Sequence, residues 1–395
     1  MSAADTTPWR VTLGATTLGE REIAAVTQVL TGGWLSMGPV TRTFEREFAH
    51  ALGAADAVAV SSGTAALHLA LLALGIGPGD EVIMPALSFV AAAAMSVAVG
   101  AVPVFADVRS PTDLTLDPDD VERRITARTR AVVVMHYAGY AADLARLRRL
   151  TADRGLSLIE DAAHAPAVRE RDGAFLGTVG DVGCFSFYAN KNMTTGEGGM
   201  IVAADPEVLA RCRSLRSHAM STSPRERDNG SGYDIAALGF NYRPTEIGAA
   251  IGRVQLERLA ADREIRAGVV ADYREALAGV PGLVLPFADR AGADTADHLF
   301  AVLLPAGAAR AAFRTALASA GVQTSVHYTP THHLTYYRRR LPDLRLPVTD
   351  AIAGRLVSLP LHACMSGDQS RAVTDSVLTA LRANRLEKGR TSHVR

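Results

Sequence analysis

Lysine is almost missing from this chain. Of 41 Lys plus Arg residues only Lys191 and Lys388 are lysines, and every other strong base is arginine. Cysteine is also scarce. Cys184, Cys212 and Cys364 are scattered, with no CxxC pair and no metal spacing, so a disulfide framework is excluded and buried thiols in a reducing compartment are expected. An excess of charge is lacking as well. Acidic and basic residues both number 41, leaving a formal net charge of zero, which points away from nucleic acid or a strongly charged partner. The first residues, MSAADTTPWRVTLG, show no basic-then-apolar leader pattern. The one long uncharged run, PALSFVAAAAMSVAVGAVPVFA (85–106), is mostly alanine and is broken by Gly100 and Pro103. It reads as a buried helix followed by a buried strand, not as a membrane span. A cytoplasmic protein with no membrane segment is the expectation.

What is present is the pattern of an α/β protein. Short β-branched runs at 57–62, 81–86, 102–108, 131–137, 156–162, 180–187 and 200–205 alternate with helical stretches at 65–75, 91–99 and 142–154. Runs that are apolar throughout are expected where a sheet is covered on both faces, so one large, mostly parallel, seven-stranded sheet is predicted. A long helix over 244–279 follows, and the pattern then resets to a strand (297–305), a helix (308–320) and a strand (322–328). This predicts a large domain over 1–260, with an N-terminal arm, and a smaller α+β domain over 261–395 that ends in a solvated tail holding Lys388.

Four stretches carry chemistry. In AVAVSSGTAALHLALLAL a strand gives way to a helix at Gly63 and Thr64. The unpaired N–H groups of a first helical turn suit a phosphate, though on this stretch alone Thr64 as a plain helix cap is the favoured reading. In LSLIEDAAHA, Asp161 ends a hydrophobic strand at the carboxyl edge of the sheet, where α/β ligands bind. A buried Asp there pairs with a cation, or it caps the next helix. The third stretch, FSFYANKNMTTGEGGMIV, contains Lys191. An arginine-biased chain that keeps a lysine here points to a need for an amine that can lose its proton and form an imine, which a guanidinium cannot do. The GEGG run precedes a strand and opens no helix, so it is not a dinucleotide fingerprint, and no GxGxxG follows the first strand. A nicotinamide dehydrogenase is thereby disfavoured. In LGFNYRPTEIGAAIG, Asn241 and Arg243 precede a helix started by Pro244; a capping turn and an anion contact both fit.

Together SSGTAAL, EDAAHA, FSF…K…TTGEGG and GFNYRPTEIGAAIG resemble the DegT/DnrJ/EryC1/StrS family of pyridoxal-phosphate-dependent sugar aminotransferases. GVQTSVHYTPTHHL and LPVTDAIAGRLVSLPLH resemble its C-terminal blocks, and the likeness runs from about residue 12 to 380. The resemblance implies a fold-type-I aminotransferase architecture and a homodimer with active sites at the interface. It implies that Lys191 holds pyridoxal 5′-phosphate as a Schiff base and moves the proton. Asp161 would pair with the pyridine nitrogen, Phe89 stack on the ring, and His164 stand near the ring hydroxyl. Gly63, Thr64 and Ser186 would bind the phosphate, joined by Asn241 of the partner subunit. His327, Tyr328 and Arg243 are expected near the substrate. Relatives with His in place of this lysine look like sugar dehydratases, so Lys191 implies transamination, with pyridoxamine 5′-phosphate as the intermediate form. The implied reaction passes an amino group from an amino acid such as L-glutamate to a nucleotide-linked deoxysugar ketone. The block GGWLSMGPVTRTFEREFAHALG resembles members acting at C4, so C4 of dTDP-4-keto-6-deoxyglucose, in secondary-metabolite or antibiotic sugar biosynthesis, is the expectation. A C3-ketosugar, a cyclitol ketone and a non-catalytic pyridoxal-phosphate-binding regulator are the alternatives.

Overall fold

The computed structural model describes residues 9–222, 232–290 and 294–392, with the backbone alone from 384 onward. Eleven strands are found among the described residues. They are β1 (Val58–Val60), β2 (Glu81–Pro85), β3 (Val102–Ala106), β4 (Val108–Ser110), β5 (Asp113–Leu116), β6 (Thr129–Met135), β7 (Ser157–Asp161), β8 (Val182–Ser186), β9 (Gly199–Ala203), β10 (Phe300–Leu303) and β11 (Leu356–Leu359). Seven form one sheet in the order β1-β9-β8-β7-β6-β2-β3. Every pair is parallel except those that β9 makes with β8 and β1. The α/β architecture and the seven predicted strands are therefore present.

Sequence chemistry explains the joints. Ser62, Asp117, Asp143 and Asp205 each accept a backbone N–H from the first turn of the helix they precede. Pro118 and Pro206 sit where a helix loses nothing by lacking an N–H. Chain 102–108, expected as one strand, breaks at Asp107. Its carboxylate accepts the Val348 N–H at 2.9 Å and the Thr349 N–H and hydroxyl at 2.8 and 2.6 Å, capping the helix Pro347–Ala353. After the break, β4 and β5 form a separate antiparallel pair.

The helix Glu246–Leu277 is uninterrupted, so residue 260, the boundary expected from sequence, lies inside it. Its first residue caps a different helix. Glu246 accepts backbone N–H groups from Gly38, Val40 and Thr41, each at 2.8 Å, at the start of Pro39–Ala51. Its later part packs in a second core with Phe300, Phe313, Val357 and Val373, around the antiparallel pair β10–β11. Val11 belongs to this same core, bonded through its N–H to Gly321 and through its carbonyl to Gln323.

Segment 322–328 corrects an expectation. It forms no strand, but only single bridges, Val322 to Val11 and Ser325 to Ser358. Two different neighbours each pair with one residue, so no ladder builds. The stretch 383–395 was expected as a solvated tail; its backbone stays helical through Ser392. No helix among the described residues is long and apolar enough to cross a membrane.

Candidate functional site

Parallel strands deliver their carboxyl ends to one edge of the sheet, and the chemistry gathers there. Met135, Asp161 and Ser186 are the last residues of β6, β7 and β8. They border a cavity of about 570 Å³ that is also lined by Gly63, Thr64, Phe89, His164, Lys191, His327 and Tyr328. Nine of the residues singled out from sequence thus share one wall.

Lys191 sits on a loop closed between β8 and β9. Phe187 N–H donates to Gly198 O at 2.8 Å, Thr195 N–H to Phe187 O at 2.9 Å, and Lys191 N–H to Tyr188 O at 2.9 Å. Gly199 has to be glycine because an added Cβ would lie 2.6 Å from the Ser62 carbonyl. Burial pushes the Lys191 ammonium down to about 8, with the Asp161 carboxylate opposing. About a tenth of such an amine is neutral at pH 7, against less than a thousandth for an ordinary lysine.

Asp161 is buried and accepts the Ala163 N–H at 3.1 Å. Burial raises its pKa, with that hydrogen bond, Lys191 and His136 acting the other way. A cation against this carboxylate would reverse the shift. Glu160, beside it in sequence, points elsewhere and does other work. It accepts N–H groups from Gly177, Val179 and Gly180 at 2.8, 2.8 and 2.6 Å, and bonds His136 Nε2 at 2.9 Å. Burial would raise the Glu160 pKa, but these bonds prevail and hold it below the ordinary range. This carboxylate fixes the loop entering β8, and so the floor beneath Asp161.

Ser62 spends its side chain on the Ala65 N–H at 3.0 Å and its carbonyl on Ala66. The N–H groups of Gly63 and Thr64 have no partner among the described residues, at the N-terminus of an 11-residue helix. A Cβ on Gly63 would lie 2.8 Å from Ser186 Cβ, so the turn closes against β8 only as glycine. These two free N–H groups, the Ser186 hydroxyl, the buried Asp161 and the partly neutral Lys191 fit pyridoxal 5′-phosphate: a phosphate at one end, a cationic ring nitrogen and a carbonyl at the other.

His164 is held as a neutral ring. Its Nδ1 accepts the Ala138 N–H at 3.3 Å, so its Nε2 carries the hydrogen and donates to the Tyr328 hydroxyl at 2.9 Å. Burial, with Lys191 nearby, holds the His164 pKa well below 6.5. His327 bonds the Ser358 hydroxyl at 2.9 Å and is pushed down to about 4, chiefly by burial. Phe89 lines the mouth and is 55% exposed, with its ring centroid 6.0 Å from Tyr328.

Asn241 and Arg243 do not line this cavity. Asn241 is exposed and bridged to Ser217, while the intervening Tyr242 accepts the Ser61 N–H at 2.8 Å. The pair therefore stands beside the entry to the Gly63 turn, with Asn241 exposed and Arg243 half-buried. Sequence reasoning missed His298, Asn192 and Glu197. His298 and Glu197 line the cavity, and Asn192 is buried behind it. The available signal was a histidine opening the apolar run HLFAVLL.

Comparison with known proteins agrees with this geometry. The model of the DegT/DnrJ/EryC1/StrS aminotransferase family matches residues 16–378. The spore coat polysaccharide biosynthesis protein SpsC of Bacillus subtilis is 39% identical over 374 residues, covering 92% of this chain and 94% of SpsC. Among solved structures, the aminotransferase TlmJ of Streptoalloteichus hindustanus is 38% identical with a TM-score of 0.88, covering 94% of this chain and 99% of TlmJ. The sugar aminotransferase CalS13 of Micromonospora echinospora is 32% identical with a TM-score of 0.85, covering 93% and 99% respectively.

Proposed function

The chain belongs to the DegT/DnrJ/EryC1/StrS aminotransferase family, and from that premise we propose that it moves an amino group from L-glutamate to C4 of a nucleotide-linked 4-keto-6-deoxysugar, dTDP-4-keto-6-deoxyglucose. Membership makes it a pyridoxal-phosphate-dependent sugar aminotransferase. The single observation that carries the reading is Lys191 with a pKa near 8, in the cavity that Asp161 also lines at the carboxyl edge of the sheet. The C4 assignment is supported by the likeness of the block 32–53 to members acting at C4.

Pyridoxal phosphate, when bound, supplies an electron-poor ring that stabilises negative charge at the donor's Cα. The residues of the chain do the rest. Lys191 Nζ, neutral often enough to attack a carbonyl, holds the cofactor covalently and then carries a proton to and from the reacting carbon. Asp161 keeps the ring nitrogen protonated, a role its burial strengthens because a charged partner is the cheapest way to retain its own charge. The N–H groups of Gly63 and Thr64 and the Ser186 hydroxyl would hold the phosphate, and Phe89 and His164 would hold the ring. His327 and Tyr328 meet the sugar. The enzyme acts as a homodimer, with Asn241 and Arg243 of one protomer completing the phosphate and sugar subsites of the other. The exposure of Asn241 beside the Gly63 turn supports this. Secondary-metabolite sugar biosynthesis is the setting that the regiochemistry suggests.

The test is the absorbance spectrum of purified protein with pyridoxal phosphate, before and after glutamate, in wild type and Lys191→Ala. The expected result is a near-visible band that glutamate bleaches in the wild type, and no lysine-linked band in the variant. A wild type that binds no cofactor would overturn the reading. With the half-reaction established, NMR location of the new C–N bond decides regiochemistry, and amination at C3 alone would refute C4.

A further inference from the structure

His298 is the most enclosed polar group of the cavity that the proposed chemistry leaves unused. It is 5% exposed and lines the cavity beside His164, their ring centroids 4.2 Å apart. One ring nitrogen is committed: Nδ1 lies 2.7 Å from Asn192 Oδ1. Asn192 is the residue after Lys191, and its own amide nitrogen donates to the Ala296 carbonyl. That donation turns Oδ1 toward the histidine. An amide oxygen only accepts, so Nδ1 carries the hydrogen and Nε2 of the neutral ring is a lone pair, without a partner among the described residues.

The segment bearing His298 is itself fixed. His298 N–H donates to Ala138 O at 2.9 Å, and the next residue, Gly139, meets Ala296 so closely that a Cβ there would lie 2.8 Å from the Ala296 Cβ. Ala138 N–H holds His164. Arg266 of the long helix donates to the Asp297 carbonyl. Residues 296–298 therefore hold the residue next to Lys191 with two hydrogen bonds, from a backbone that is itself tied to the sheet and the long helix.

We propose that His298 is a positioning residue for Lys191, acting through Asn192: the pair sets where the lysine amine stands in the cavity. This rests on the reading of Lys191 as the cofactor-binding lysine. An unprotonated ring is what the role requires, because an imidazolium would put a second positive charge beside the amine. Burial, then the neighbouring His164 and Lys191, hold His298 well below 6.5. The other titratable groups around Lys191 in the cavity are Asp161, His164, Cys184, Tyr188, Glu197, His327 and Tyr328, and Arg266 acts on His298 from the long helix.

The experiment titrates the near-visible band of cofactor-loaded full-length protein against pH, and follows steady-state kinetics, in His298→Phe, Asn192→Ala, the double variant and His298→Asn. His298→Phe and Asn192→Ala are each expected to move the spectroscopic midpoint in the same direction by about one unit and to lower kcat with little change in the KM for glutamate. The double variant should move it no further than the larger single change, as two members of one bonded unit do. His298→Asn, whose amide can keep the donor to Asn192, should return the midpoint toward wild type and serves if the Phe variant does not fold. Additive shifts, or an unmoved midpoint in His298→Phe or Asn192→Ala beside a normal wild-type band, would overturn the positioning role while leaving the aminotransferase reading intact. A wild type with no band would overturn both.

Discussion

Asp297 shows what a single buried charge does in this protein. It sits next to His298 with a φ of +44°, and burial raises its pKa to about 6 against the pull of Arg274 and its neighbours. An acid whose folded pKa exceeds its unfolded value near 3.8 binds more protons folded than unfolded between those values. Its contribution to stability is therefore full below pH 3.8 and lost as pH rises through 6. Asp297→Asn, which keeps the shape without the charge, should be more stable than wild type at pH 8 by about 1–3 kcal/mol. Near pH 4 the two should match, as read from urea midpoints. At this scale the sequence was legible wherever composition made a residue conspicuous. Lys191 stood out because lysine is rare, and Asp161 because it ends an apolar strand. His298 did not, because its meaning comes from Asn192, which lies 106 positions away.

Elements were legible where burial is two-sided and illegible where one residue at a time finds a partner. Six of the seven sheet strands are runs fully or nearly covered, the edge strand β3 is open at Val102, and each could be read from sequence. Segment 322–328 was read as a strand too, but it pairs once with Val11 and once with Ser358, contacts that no local pattern encodes. Asp107 breaks an expected strand because the helix it caps begins 240 positions later. Glu246 is the sharper case. It reads as the first turn of its own helix, yet its carboxylate receives four hydrogen bonds from residues 38–41. Replacing it by alanine orphans buried donors at the start of another helix. Glu246→Ala should lower unfolding stability by about 2–4 kcal/mol, whereas Thr245→Ala, which removes only the cap onto Gly248, should cost about 1 kcal/mol. Equal effects of the two in chemical denaturation would show that the cross-helix contact carries nothing.

On the scale of the whole molecule, acid is the expected weakness. His164 and His298 are held well below 6.5 and His327 at about 4, burial being the first cause of each. Groups with depressed folded pKa values contribute stability that is present above 6.5 and is lost as pH falls toward the folded values. Asp297 and Asp161 work in the opposite sense, and the three histidines outnumber them. Unfolding midpoints in urea should therefore fall steadily from pH 7 to pH 4.5, and a flat profile would contradict the neutral assignment of these rings. All three lie in the cavity wall, so the same protonation should release the site before the rest of the fold. The placement of Asn241 and Arg243 outside the cavity was the least legible feature, since spacing alone fits a capping turn and an anion contact equally.

Leu13 and Gln323 bond across 310 positions, and Val11 lies with no exposed surface in a core otherwise built from residues after 268. On a ribosome adding about 5–20 residues per second, the segment at Val11 leaves the tunnel some tens of seconds before anything exists for it to pair with. The sheet of β1 to β9 can close in that interval. The segment at Val11 cannot, so residues made ahead of the whole sheet are among the last to find their place.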